Sequence, residues 1–151
     1  MLIFHNNLND CTFFENKLEF KNPVNIKLID MPYFSLLDLN SKQLTFSFKA
    51  VSKVQFRRTD YKKGYFVTRS SIDIQKLELY EIQDLLISND GCFIVGQEWE
   101  VLKYSNHFAS FLVGNSLQKY VLVNVEQVDG PPIHLYTVDN KKYIRLKKYF
   151  V

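Results

Sequence analysis

Leu44-Thr45-Phe46-Ser47-Phe48-Lys49 places an apolar side chain at every second position, and a period of two is the mark of a half-buried β-strand. The alternation resumes at Val54, Phe56 and Arg58. It then runs through Asp60-Tyr-Lys-Lys-Gly64 into Tyr65–Arg69, which predicts a hairpin with a longer loop over 60–64. Upstream, Leu2–His5, Thr12–Phe14, Lys17–Lys21 and Val24–Ile29 read as short strands broken by Pro23 and Met31-Pro32, with Tyr33–Leu39 following. Downstream of Gly91 the pattern is a meander: Cys92–Val95, Glu98–Tyr104, Phe108–Val113, Lys119–Val128, Ile133–Val138 and Lys142–Phe150. Turn chemistry separates them at Gly96, Asn106, Gly114-Asn-Ser, Asp129-Gly-Pro-Pro and Asp139-Asn140.

Composition agrees. Aromatic residues make 15% of the chain, while alanine occurs only at Ala50 and Ala109; rings and β-branched residues suit pleated surfaces, and alanine is the best helix former. Residues 71–88 satisfy two readings. Leu79, Ile82, Leu85 and Leu86 keep helical spacing, Ser70 or Ser71 can cap, and Asn89-Asp-Gly91 can end a helix. Ile72, Ile74, Leu77 and Leu79 suit a strand equally well. The expectation is therefore a mainly β (β-rich α+β) chain with one short helix over about 79–88. Its 151 residues form one compact domain, with a possible division into a β-rich part over 1–70 and a meander or small barrel over 91–151. The run Gln97-Glu-Trp-Glu-Val-Leu-Lys103, the meander after it and the Tyr149-Phe150 ending resemble an SH3-like barrel. That family serves many functions, so the resemblance assigns no residue a role.

Several chemistries find no support. His5, His107 and His134 are scattered, and Gly114-Asn-Ser116 lacks the second glycine of a nucleophile elbow. Cys11 and Cys92 show no metal or redox spacing, and no calcium loop, phosphate-cradling glycine loop or dinucleotide fingerprint occurs, so neither a metal nor a cofactor is expected. Asp10 with Glu19-Phe-Lys21 loosely resembles the Asp…Glu-X-Lys arrangement of restriction-endonuclease-like enzymes; a solvated hairpin face is the simpler reading. Glu98 and Glu100 share one face of a strand, read as its wet side, with Trp99 on the other. Without a basic start, a long apolar run or a membrane-spanning stretch, the expected location is cytoplasmic, with no membrane partner.

Charge carries the functional signal. Residues 49–69 hold seven cations against Asp60 alone, residues 71–100 hold seven acids against Lys76 alone, and residues 141–151 hold five cations and no acid. Cations interleaved with rings neutralise phosphates and stack on bases. The candidate residues are Arg57, Arg58, Tyr61, Lys62, Lys63 and Tyr65 in the first basic segment, with Tyr143, Arg145, Lys147, Lys148 and Tyr149 in the last. They point to a non-enzymatic nucleic-acid-binding protein. The alternative is a protein-interaction module, such as a small inhibitor or immunity-type protein of a mobile element, acting through its acidic block or aromatic surface; self-association through the opposed blocks is a variant.

Overall fold

A strand buried on one face alternates apolar and polar residues, whereas a strand buried on both reads as a continuous apolar run; the long strands of this protein do each in turn. The computed structural model describes residues 11–15, 25–38, 47–71, 76–89 and 91–146. Eleven strands occur among them: β1 (Cys11–Glu15), β2 (Asn25–Lys27), β3 (Leu37–Asp38), β4 (Ser47–Phe56), β5 (Thr59–Lys62), β6 (Phe66–Ser71), β7 (Lys76–Ser88), β8 (Gly91–Ser105), β9 (Ser110–Asn124), β10 (Leu135–Val138) and β11 (Lys141–Ile144). One sheet joins them in the order β1-β4-β7-β8-β9-β11-β10, with β2 and β5 also on β4, β6 on β7 and β3 on β9. Pairing is antiparallel except between β3 and β9. Helical structure among the described residues is limited to single 3-10 turns at Leu28–Asp30, Phe34–Leu36 and Val125–Gln127. No helix there is long and apolar enough to cross a membrane.

The helix expected over 79–88 is instead most of β7. A bulge between Ile82 and Asp84 explains the misleading spacing. Before it, Tyr80 and Ile82 face one core; the extra residue inverts the parity, so Leu85 and Ile87 face that core after it. Leu86 meanwhile points into a second core on the opposite face. Leu79, Ile82, Leu85 and Leu86 thus imitate a helical stripe while belonging to a kinked strand covered on both sides.

The first core contains Val51, Val54, Phe56, Tyr61, Leu85, Ile94 and Val123, among others. The opposite face buries Phe48, Leu86 and Val95 under Leu28, Tyr33, Phe34 and Leu37, brought over the sheet by the two 3-10 turns near residue 30. A third core lies toward the other ends of the long strands, where Leu79, Val113, Ile144 and Leu146 are buried with Phe66, Trp99, Phe111 and Ile133 against them. Here the sheet curls into a ring. β6, β7, β8, β9, β11 and β10 pair successively, and Ile133, just before β10, bridges back to Phe66 of β6, its N–H 2.8 Å from the Phe66 carbonyl. The barrel expected over 91–151 therefore does not close on itself; β6 and half of β7 complete the ring.

Gly96 and Gly114-Asn115-Ser116, expected as turns, lie inside β8 and β9. Both strands run 15 residues, and their pairing shifts register three times between Gln97 and Tyr104. Glycine serves close approach there: a Cβ on Gly96 would stand 2.8 Å from the Tyr80 Cβ. The turns at Asn106, Asp129-Gly-Pro-Pro and Asp139-Asn140 fall where the sequence places them.

Candidate nucleic-acid interface

A two-residue hairpin turn whose twist matches its strands needs positive φ at both central positions, which is why Asn-Gly and Asp-Gly dominate it. β10 and β11 meet this demand with Asp139 (φ 51°) and Asn140 (φ 66°). β4 and β5 meet it with Arg57 (φ 50°) and Arg58 (φ 66°), flanked by the Phe56–Thr59 pair. The turn expected over 60–64 is narrowed to residues 63 and 64, where the Tyr65 N–H donates to the Lys62 carbonyl at 3.2 Å; Thr59–Lys62 is itself a strand, joined to β4 by a further turn at residues 57 and 58. Sequence reasoning missed it because an L-residue such as arginine loses roughly 1–2 kcal/mol in the left-handed region, so Arg-Arg carries no turn signal.

Alternation along the hairpin directs Val54, Phe56 and Tyr61 inward and leaves Lys53, Gln55, Asp60 and Lys62 on the outer face. Tyr61 is 4% exposed, so its ring is packed in the core and unavailable for stacking; this corrects its expected role. Its hydroxyl instead donates to the Gly130 carbonyl at 3.3 Å. Asp60, the hairpin's acid, lies 3.2 Å from the Lys53 Nζ and accepts from the Gln55 side chain. Arg57, Arg58, Lys62, Lys63 and Tyr65 are all exposed. The Arg57 guanidinium lies 4.6 Å from the Phe56 ring centre, and Lys63 pairs with Asp84 at 3.4 Å. Arg58, Lys62 and Tyr65 have no side-chain partner among the described residues.

The second basic segment keeps one of its five candidates in view. Lys147, Lys148 and Tyr149 lie outside the described residues. Tyr143 is 7% exposed, stacked on Tyr136 at 5.8 Å and against Phe108 at 5.0 Å, which corrects its expected role as a solvent-facing ring. The cause is tertiary: the loop between β8 and β9 carries Phe108 over the face that alternation alone exposes. Arg145 is exposed, donates to the Phe108 carbonyl at 3.0 Å and lies 5.7 Å from the Tyr136 ring centre. The Ser110 and Tyr136 hydroxyls are hydrogen-bonded behind it.

A cavity of about 860 Å³ opens beside Arg145, lined also by Thr68, Asp129, Gly130, Pro131, Pro132, Ile133, His134, Tyr136 and Leu146. Gly130 receives Tyr61, so the loop after the 3-10 turn Val125–Gln127 connects the basic hairpin to the wall that Arg145 shares. Sequence reasoning placed residues 129–132 as a turn and missed their part in this cavity, since which strand they fold against depends on the ring closure at Phe66 and Ile133. Compared with protein families, with curated proteins and with solved structures, the chain matches none.

Among the described residues, three acids of the acidic block, Glu78, Asp84 and Glu98, face the protein's own cations. Arg69 reaches Glu78 and the Tyr80 hydroxyl, each at 3.0 Å, and Lys119 lies 3.7 Å from Glu98. Glu98, read from the sequence as wet, is 3% exposed; it lies opposite Tyr80 across the β7–β8 pairing, on the strand face that Cys92 and Ile94 turn to the first core. The Asp10, Glu19 and Lys21 trio lies outside the residues whose side chains are described.

Asp84 also accepts from the Tyr33 hydroxyl at 2.7 Å. Burial first, then that hydrogen bond and the charge of Asp84, hold the Tyr33 phenol well above its ordinary pKa. The folded state therefore retains a proton that the unfolded chain releases near pH 10, so this contribution to stability is complete below about pH 10 and is lost as pH rises beyond it. One proton corresponds to a slope of about 1.4 kcal/mol per pH unit. Tyr33→Phe is expected to flatten the fall in unfolding free energy between about pH 10 and 11 by up to that slope; denaturant titrations giving parallel slopes for both proteins would contradict it.

Proposed function

We propose that the protein is a non-enzymatic binding protein that holds nucleic acid along the β4–β5 hairpin, with Arg145 and the adjoining cavity extending the surface. The observation that carries this reading is the set of exposed groups without side-chain partners among the described residues: Arg58 and Lys62 on a hairpin that Tyr61 fastens to the cavity loop, and Tyr65 just after its second strand. Arginine meets phosphate oxygens through two parallel N–H bonds, lysine acts as a mobile charge, and an exposed tyrosine offers a face for a base. The concave surface beside Arg145, with Tyr136 and two prolines in its wall, suits a flat ring next to an anion.

Single-strand oligonucleotide titrations followed by fluorescence anisotropy test the reading. Affinity is expected to fall with salt, with a log–log slope of about −0.7 per phosphate neutralised. Tyr65→Ala is expected to cost about 1–3 kcal/mol of binding without altering that slope, whereas Lys62→Gln reduces it by about 0.7. A protein that binds no oligonucleotide at low salt sinks the proposal.

One observation favours a second reading, a protein-interaction module. Leu102, Tyr104 and Leu117 are exposed on β8 and β9, while Asp84, Glu78 and Glu98 of the acidic block pair internally. A partner would then meet the apolar strand surface rather than the acids. Light scattering at two salt concentrations separates the cases: self-association through Leu102 and Tyr104 persists at high salt, and association through opposed charges does not.

A further inference from the structure

Two turns of the same kind and length occur in this protein, built from opposite chemistry. Asp139-Asn140 uses residues that tolerate positive φ, and Arg57-Arg58 uses residues that do not. Neither arginine is buried, so a place in the core does not account for the choice. Shape does not account for it either, because asparagine and glycine form the same turn with less strain. What the arginines supply is two adjacent guanidiniums at the tip of a hairpin. The hairpin's acid is held lower down by Lys53 and Gln55, and Arg57 lies against the Phe56 ring. Strained backbone persists where the surrounding structure over-determines it, and it concentrates at sites of function. Here Phe56 is anchored in the core and Tyr61 is fastened to Gly130, so both ends of the short hairpin are held.

We propose that Arg57-Arg58 is a strained phosphate clamp, in which folding stability is given up to present two guanidiniums to consecutive phosphates of a nucleic-acid strand. This rests on the nucleic-acid reading above and adds to it that the tip, rather than the sum of surface charge, dominates contact with the backbone. Cations away from the hairpin and the adjoining cavity, such as Lys103 and Lys141, then contribute only long-range attraction.

The test compares the wild type, the double substitution Arg57→Asn with Arg58→Gly, and a charge-matched control, Lys103→Gln with Lys141→Gln, whose lysines are exposed on β8 and β11. Each is measured for thermal midpoint and for binding of a single-strand oligonucleotide from about 50 to 200 mM salt. The tip variant is expected to melt about 3–6 °C higher. Its affinity should fall at least about tenfold and its log–log salt slope should shrink by about 1.4, two phosphates at 0.7 each. The control should lose no more than about threefold, as screening of distant charges requires. Wild-type binding that the tip variant retains, that the control loses equally, or a tip variant that melts lower, would each overturn the clamp while leaving the nucleic-acid reading standing. A wild type that binds no oligonucleotide at 50 mM salt overturns both.

Discussion

Replacing Gly96 with alanine is expected to destabilise the protein by about 1–3 kcal/mol, the range for forcing extra volume into a packed core. The added methyl would stand 2.8 Å from the Tyr80 Cβ, 3.0 Å from its Cγ and 3.2 Å from its Cδ1. These atoms are the root of the side chain, so no rotation about its end relieves the clash. Tyr80 itself is fully buried, its hydroxyl hydrogen-bonded to Arg69 and Glu78. The strand backbone would have to move, against a sheet that pairs Gly96 with Ile82 on one side and Val121 on the other. Alanine would otherwise gain about 0.4–1 kcal/mol from the stiffer unfolded chain, an offset smaller than the clash. Gly114→Ala is the comparison. Its methyl would meet the Glu100 Oε1 at 2.8 Å and the Glu100 Cβ at 3.0 Å. Glu100 is only half-buried, so its carboxylate can swing away; the contact with its Cβ remains but is looser than that with the Tyr80 Cβ, and the cost should be smaller. Urea unfolding checks both, and equal stability of Gly96→Ala and the wild type would contradict the close-packing role.

Gly96 also shows where the sequence stops being readable. A glycine between two apolar runs signals a turn and a kink equally well, and the choice depends on Tyr80, sixteen residues away, reaching the same spot. The β class was legible because alternation such as Phe46-Ser47-Phe48 is local. The turn at Asp139-Asn140 was legible for the same reason. Residues 79–88 were misread because one bulge adds a residue to a period of two, and because burial on both faces removes the polar half of the pattern. At the candidate interface, the exposure of Arg57, Arg58, Lys62 and Lys63 follows from charge alone. The burial of Tyr61 and Tyr143 does not, since it depends on Gly130 and Phe108 arriving from other parts of the chain.

Ile144→Ala and Leu85→Ala are each expected to cost about 2–5 kcal/mol, the range for truncating a buried aliphatic side chain. Both residues are fully buried, Ile144 in the ring core and Leu85 in the first core. Separate cores often mark separate domains, and here β7, β8 and β9 argue otherwise. Leu79 of β7 lies in the ring core and Leu85 of the same strand in the first; Val101 and Ile94 divide β8 in the same way, and Val113 and Val123 divide β9. Melting the ring would strip half the partners from three strands that also build the other core, so an intermediate with one core intact exposes strand edges and apolar faces together. One cooperative transition follows. Trp99, the single tryptophan, packs against the ring core and reports on it, while far-ultraviolet circular dichroism reports on the whole sheet. Leu85→Ala should therefore move the Trp99 fluorescence midpoint as far as it moves the dichroism midpoint, although Leu85 belongs to the other core. If dichroism shifts and Trp99 fluorescence does not, the two cores unfold independently and the long strands do not couple them.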